Sequence, residues 1–526
     1  MNSAEIVSEA SRRRTFAIIS HPDAGKTTLT EKFLLYSGAV QEAGAVKARS
    51  GGRGATSDWM ELERQRGISI SSTVLQFPYG DKQFNLLDTP GHRDFSEDTY
   101  RVLTAVDAVI MVLDTAKGLE SQTLKLFDVC RSHNLPVLTF FNKYDRPGRD
   151  PLELLDEVEQ QIQLRATPAT WPVGIPGDFR GVIDRRDGSY VRFTRTARGA
   201  SEAHEEILSP EQAAETEGPA WTQALEGCSL LDAIDANVDM PSFLAGQSTP
   251  VFVGSAITNF GVRMLLDAVA EMAPAPKSRV TRDGSVRELD GDFSAQVFKI
   301  QANMDPNHRD RIAFARVSSG RFERNMDMQN SRTGKDVSSK YATTAFGADR
   351  DTIDTAYPGD IIGLINAGGL LIGDTIHAGP AVDYRAIPRF SPEVFAIARP
   401  SDSGKVKQFR KGLEQLDQEG VVQVLRDPEG FITEPILAAV GVLQFEVFAH
   451  RLMSEFNAPT EIAHMNFDAI RITDKESAPR LREIGGIRIM ERSDGQLLAL
   501  FESRYRLQRL ENDEPGLTLR PITTSD

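Results

Sequence analysis

The sequence predicts a multidomain chain of α/β, β and α+β parts: a doubly wound parallel-sheet domain, then a β-barrel, then a ferredoxin-like domain. Three observations predict it. The first half alternates short apolar strands with helices, the middle turns into short β-rich runs separated by glycines, and after Pro392 the order is strand, helix, strand, strand, helix, strand. A length of 526 residues fits this division, because single hydrophobic cores stop growing at about 250 to 300 residues.

The elements follow in order. Phe16 to Ser20 is a short apolar strand, and a glycine-containing turn leads into a helix over Thr27 to Leu35. Val74 to Phe77 and Phe84 to Asp88 flank the turn signal Gly80-Asp81 and form a hairpin. Val109 to Asp114 and Pro136 to Asn142 are continuous apolar runs, which suit strands buried on both faces, with a helix over Thr123 to His133 between them. Ala273-Pro274-Ala275-Pro276 is a short stiff linker. Beyond it, Ala295 to Ile300, Arg311 to Val317 and Ile361 to Ile365 are barrel strands. The last part reads as strand Val394 to Ala398, helix Lys405 to Glu419, strands Val421 to Leu425 and Ile436 to Val440, helix Leu443 to Phe456 and strand Thr460 to His464. The expected boundaries are 1–276 with an insertion at about 165–248, then 277–388, then 389–526 with an extension.

Composition narrows the function classes. Hydrophobic residues at 40% and charged residues at 26% are ordinary for soluble proteins, and no apolar run approaches the roughly 20 residues that span a bilayer. Arg12-Arg13-Arg14 mimics an export signal, but the apolar run after it is too short for one and reads as a buried strand. Two cysteines, Cys130 and Cys228, build neither a disulfide framework nor a zinc knuckle, and point to a reducing cytoplasm. A net charge of -15 argues against indiscriminate nucleic-acid binding. No membrane and no DNA partner is expected.

Three motifs, each after a strand, carry the chemistry. Ser20-His21-Pro22-Asp23-Ala24-Gly25-Lys26-Thr27, followed by Thr28, sits at the first strand-to-helix turn. Backbone N–H groups of such a loop cradle phosphates, Lys26 reaches the β and γ phosphates, and the Thr27 hydroxyl suits Mg²⁺. Ser20 stands where the usual pattern has glycine, so a plain Gly-Lys-Thr helix start is the bland alternative. Asp88-Thr89-Pro90-Gly91-His92 ends the next apolar strand: Asp88 can hold a Mg²⁺-bound water and Gly91 can offer its N–H to the γ-phosphate. An ordinary Asp-Thr-Pro-Gly turn is the alternative. In Asn142-Lys143-Tyr144-Asp145, the Asp145 carboxylate can accept both the ring N–H and the exocyclic amine of guanine, a donor pair adenine lacks. Their order points to a P-loop GTPase domain that takes GTP and GDP with Mg²⁺. Ser69, in Arg66-Gly67-Ile68-Ser69-Ile70 after a polar stretch from Gly44 to Gly54, is a second Mg²⁺ hydroxyl in a first switch, and Gly254-Ser255-Ala256 backs the base.

These stretches resemble a known family. Arg13 to Leu35, Ser57 to Tyr79, Leu86 to Asp114 and Phe298 to Gly320 are similar to the translational GTPases, and within them to the class II release factors. In that group, serine replaces the loop's first glycine and also occurs in Arg-Gly-Ile-Ser-Ile. Arg93 departs from the pattern, which has an acidic residue after the histidine. The likeness weakens between Arg186 and Asp239 and after about Asp468. It implies that His92 orients the attacking water once the ribosome docks, and that the partners are the ribosome, through its RNA and proteins, and class I release factors. The expected function is a ribosome-dependent GTPase of translation termination that promotes GTP-dependent dissociation of those factors. An elongation-factor-G-like translocase is an alternative, although it needs further C-terminal domains. A non-catalytic guanine-nucleotide sensor is another, which His92 and the Mg²⁺ ligands oppose. The first ferredoxin-like helix places Lys405, Lys407, Arg410 and Lys411 outward, as a solvated face or an RNA-facing one.

Overall fold

The computed structural model describes residues 3–39, 63, 69–194, 203–302, 311–344, 352–365, 369–387, 389–430 and 434–522. The stretch Gly44 to Gly54 and Arg66 to Ile68 lie outside the described residues.

The apolar runs of the first half become one seven-stranded sheet. Its spatial order is Thr73–Tyr79, Lys82–Asp88, Arg13–Ser20, Ala108–Asp114, Val137–Asn142, Ser248–Val253, Arg165–Pro168. Thr73–Tyr79 and Lys82–Asp88 pair antiparallel as the expected hairpin; the other pairings are parallel. Arg13–Ser20, Ala108–Asp114 and Val137–Asn142 are buried at every position, which explains their unbroken apolar runs. Helices Lys26–Tyr36 and Val262–Met272 cover one face, through Leu29, Phe33, Leu265 and Val269 among others. Helices Ser96–Leu103, Ser121–Ser132 and Pro151–Ile162 cover the other, through Tyr100, Phe127 and Val158. The registers Ile18↔Asp88, Ser20↔Val112 and Asp114↔Asn142 bring the carboxyl ends of the strands, and so all three motifs, to one edge.

Between Arg165–Pro168 and Ser248–Val253 the chain builds a second, four-stranded antiparallel sheet. Its order is His204–Leu208, Tyr190–Thr194, Asp178–Asp184, Thr170–Ile175, with helices Pro210–Glu217 and Pro219–Ala233 after it. Arg165–Pro168 itself pairs with Ser248–Val253 as the edge of the main sheet.

The β-rich middle forms a seven-stranded sheet in the order Asp336–Val337, Met328–Asn330, Thr375–His377, Ser294–Ala302, Arg311–Ser319, Ile361–Ile365, Ala342–Thr343. Val297, Ile300, Ala315, Ile362 and Ile376 fill its interior. It is seated on the first domain by side chains: Thr15 Oγ1 donates to the Gly359 carbonyl (2.8 Å), Arg13 Nε to Asp360 Oδ2 (3.1 Å), and Arg316 Nη2 to both Asp107 carboxylate oxygens (2.6 and 2.7 Å).

The third part begins Thr460–Met465, Val394–Pro400, Ile436–Ala439, Gln423–Arg426 in spatial order, the ferredoxin-like arrangement, with helices Val406–Gln418 and Val442–Phe456 on one face through Phe409, Leu413, Phe448 and Leu452. The chain after Asp468 joins the same sheet. Ile487–Arg492, Leu497–Phe501 and Ala469–Ile472 extend it beyond Gln423–Arg426 to seven strands. Among the described residues no helix is long and apolar enough to cross a membrane.

Candidate functional site

The edge where the strands end holds a cavity of about 320 Å³. The first-motif residues Ser20 to Thr28 line it, apart from Ala24. Ser69, Gly91 and His92 line it from the second side, and Asn142, Lys143 and Ala256 from the third. Asp88, Asp145 and Ser255 are not part of the lining; Asp88 is ion-paired to Lys26 Nζ, and Asp145 and Ser255 are bonded to each other. Arg146 and Ile257 also line the cavity and were not among the expected residues. Arg146 directly follows the third motif, and that adjacency is the signal that could have found it.

The loop's shape follows from its glycine. Gly25 has φ +99°, and a Cβ there would come 2.3 Å from Asn142 Nδ2, so both the backbone and the space demand glycine. Helix Lys26–Tyr36 starts at this glycine with no side-chain cap, leaving its first N–H groups facing the cavity as an anion site. Lys26 and Asp88 are almost wholly buried and form an ion pair. The other carboxylate oxygen, Asp88 Oδ2, is buried and accepts no hydrogen bond among the described residues. With the Thr27 and Ser69 side chains on the same cavity, this oxygen-only donor set fits a hard divalent cation such as Mg²⁺.

On the base side, Asn142 ties three loops together. Its Nδ2 donates to the Ala24 carbonyl (2.7 Å), while its Oδ1 accepts from the N–H groups of Lys143 (2.8 Å) and Ala256 (2.9 Å). Lys143, at φ 67°, extends its ammonium to Asp114 Oδ2 (2.8 Å). Burial alone would raise the Asp114 carboxyl; the Lys143 ammonium and the Ala116 N–H outweigh it and hold it below the ordinary carboxylate range. Asp145 Oδ1 accepts from Ser255 Oγ at 2.6 Å, which fixes the carboxylate's orientation beside the cavity.

His21 and His92 differ sharply. His21 is 1% exposed, and burial pushes its pKa down from 6.5 despite the opposing Glu120 carboxylate, with Oε2 at 3.4 Å from Nδ1, and the Pro22 backbone. The unfolded chain therefore takes up a proton below about pH 6.5 that the folded chain refuses, so stability falls as pH falls through that value. Thermal unfolding of nucleotide-free protein at pH 7.5 and 5.5 should show a lower midpoint at 5.5, with a smaller drop in His21→Gln. His92 caps the short turn Arg93–Phe95: its Nδ1 accepts the Asp94 N–H (3.2 Å), which makes Nε2 the protonated nitrogen of the neutral ring. Its side chain is 32% exposed. The carboxylate beside it is that of Asp94, at 3.5 Å; Arg93 reaches both this carboxylate, Nε to Oδ1 at 3.9 Å, and Glu393 Oε2, at 3.6 Å.

Comparison with known proteins gives three family matches in chain order. The elongation factor Tu GTP-binding domain matches residues 11–275, elongation factor G domain 2 matches 292–379, and the class II release factor RF3 C-terminal domain matches 384–511. Peptide chain release factor 3 of Microcystis aeruginosa is 48% identical over 99% of this chain and 96% of its own. The Gloeothece citriformis protein of the same name is 48% identical over 98% and 97%. This chain belongs to the peptide chain release factor 3 family. As a member it is a translational GTPase of termination, a hydrolase acting on GTP, and the C-terminal match favours termination over the translocase alternative. A solved protein from Thermus thermophilus shares the fold, with TM-score 0.69, 24% identity, and coverage of 88% of this chain and 68% of that one.

Proposed function

We propose that this release factor 3 family member works in the cytoplasm with GTP and Mg²⁺, is triggered by the ribosome, and uses its GTP cycle to drive class I release factors off after the peptide is freed. The observation that carries the site assignment is the pairing of Lys26 with Asp88, with His92 on the same cavity. The loop from Ser20 to Thr28 holds the phosphates through its N–H groups, and Gly25 lets the backbone come close. Thr27, Ser69 and Asp88 would hold Mg²⁺, which neutralises charge on the β and γ phosphates. On nucleotide binding Lys26 turns from Asp88 to the phosphates, and Asp145, held by Ser255, accepts the two guanine N–H groups. His92, with its Nε2–H available, donates to the attacking water and fixes its direction in line with the scissile bond; its Nδ1 is occupied, so it orients rather than deprotonates.

A switch of this type moves a bound factor only by the difference in ribosome affinity between its own two states, so the effect must need GTP. Terminated ribosomes carrying a labelled class I release factor should lose it faster on adding this protein with GTP, and at the unassisted rate with GDP. The same departure rate with either nucleotide, together with tRNA movement in a translocation assay, would replace this reading by the translocase one.

A further inference from the structure

Helix Val442–Phe456 of the third domain begins against the His92 loop. Its preceding residue, Gly441, has no side chain to cap the first turn, and that turn contains no acidic residue. The missing acceptor comes from the first domain: Asp94 Oδ2 accepts the Leu443 N–H at 2.8 Å, across 349 positions of sequence. The same residue's N–H donates to His92 Nδ1 at 3.2 Å. One amino acid thus joins the third-domain helix, by its carboxylate, to the imidazole, by its backbone N–H and by the same carboxylate's Oδ1, 3.5 Å from Nδ1. Phe95, next in the chain, is buried with Ile70 and Val447, and Leu443 packs on this group, so the segment after Ser69 and the segment after His92 rest on the same helix.

Gly441 shows how closely this contact is built. Its φ of −150° is extended backbone that any residue adopts. A Cβ on it, however, would lie 2.0 Å from Asp94 Cγ and 2.3 Å from both carboxylate oxygens. The three atoms nearest to that Cβ all belong to the Asp94 carboxylate, which demands the glycine.

We propose that Asp94 is a positioning residue through which the third domain sets the place of His92: a ribosome contact that moves helix Val442–Phe456 moves the Asp94 carboxylate with it, and the imidazole follows through its contacts with the Asp94 N–H and carboxylate. This rests on His92 being the water-orienting group. The mechanism assigns the third domain a part in hydrolysis without any contact with nucleotide, and it gives the helix N-terminus, positive in its first turn, the charge it pulls on.

The test places the perturbation in the third domain. Gly441→Ala in the full chain should keep GTP affinity within about twofold of wild type and keep its unfolding cooperative, while single-turnover hydrolysis at saturating ribosomes slows at least tenfold. In an Asp94→Ala background, where the carboxylate is gone, adding Gly441→Ala should slow hydrolysis by less than about twofold further. Asp94→Asn, which keeps an oxygen for the Leu443 N–H but loses the charge, should fall between wild type and Asp94→Ala. Wild-type rates in Gly441→Ala or in Asp94→Ala, with His92→Ala slow, would overturn the inference and leave the His92 reading standing. A wild-type rate in His92→Ala itself would overturn both. Should Gly441→Ala fail to fold, the ordering of Asp94→Ala and Asp94→Asn decides alone.

Discussion

His92→Ala should keep GTP and GDP affinity within about twofold of wild type and lose ~10²- to 10⁴-fold in ribosome-stimulated hydrolysis. The separation follows from where the imidazole sits. It lines the cavity with a third of its side chain exposed and is held from behind by the Asp94 N–H, so it supports the ground state little. An interaction made only in the transition state lowers kcat and leaves binding intact. Stopped-flow single turnovers with pre-bound nucleotide on excess ribosomes measure the step directly. Equal rates in wild type and variant would remove His92 from the mechanism.

Lys26→Ala should abolish measurable nucleotide binding and also destabilise the nucleotide-free protein, by an amount on the order of 3 to 5 kcal/mol. Both effects come from one ion pair. Lys26 and Asp88 side chains are 6% and 2% exposed, so removing the ammonium leaves a buried carboxylate without its ion-pair partner, besides removing the phosphate contact. Replacing both, in Lys26→Ala with Asp88→Asn, should recover part of the stability and none of the binding. Chemical denaturation of the nucleotide-free proteins with equilibrium nucleotide titration checks it; a single variant as stable as wild type would show that the pair is not what holds these two loops together.

The nucleotide site was legible because its residues stand in short contiguous motifs at strand ends, and a parallel sheet brings strand ends to one edge whatever the loops do. The partners that tune it were not. Lys143 meets Asp114 from 29 positions away, and Asp94 meets Leu443 from 349. No local period announces a pair of that kind, since each half is an ordinary polar residue in its own neighbourhood. The ferredoxin-like order was readable from strand and helix signals, but the strands after Asp468 were missed. The clue lay in Val394 to Ala398 and Ile436 to Val440. Both are apolar at successive positions, whereas a sheet covered by helices on one side needs apolar residues only at alternate ones. In the structure Ala396 and Leu437 face the helices, while Phe395, Ile436 and Ala438 face Phe467, Ile470 and Leu500 from the later segment.

That second cover has a consequence for how the chain is made. The four ferredoxin-like strands emerge from synthesis before the segment that shields their other face, and the seam between the two groups is narrow: Gln423–Arg426 and Ile487–Arg492 pair only at Leu425↔Arg492 and Arg426↔Glu491. Until Ile487 to Phe501 has been added, Phe395, Leu425 and Ile436 form a bare greasy underside with an open strand edge next to it, the arrangement from which neighbouring nascent chains aggregate.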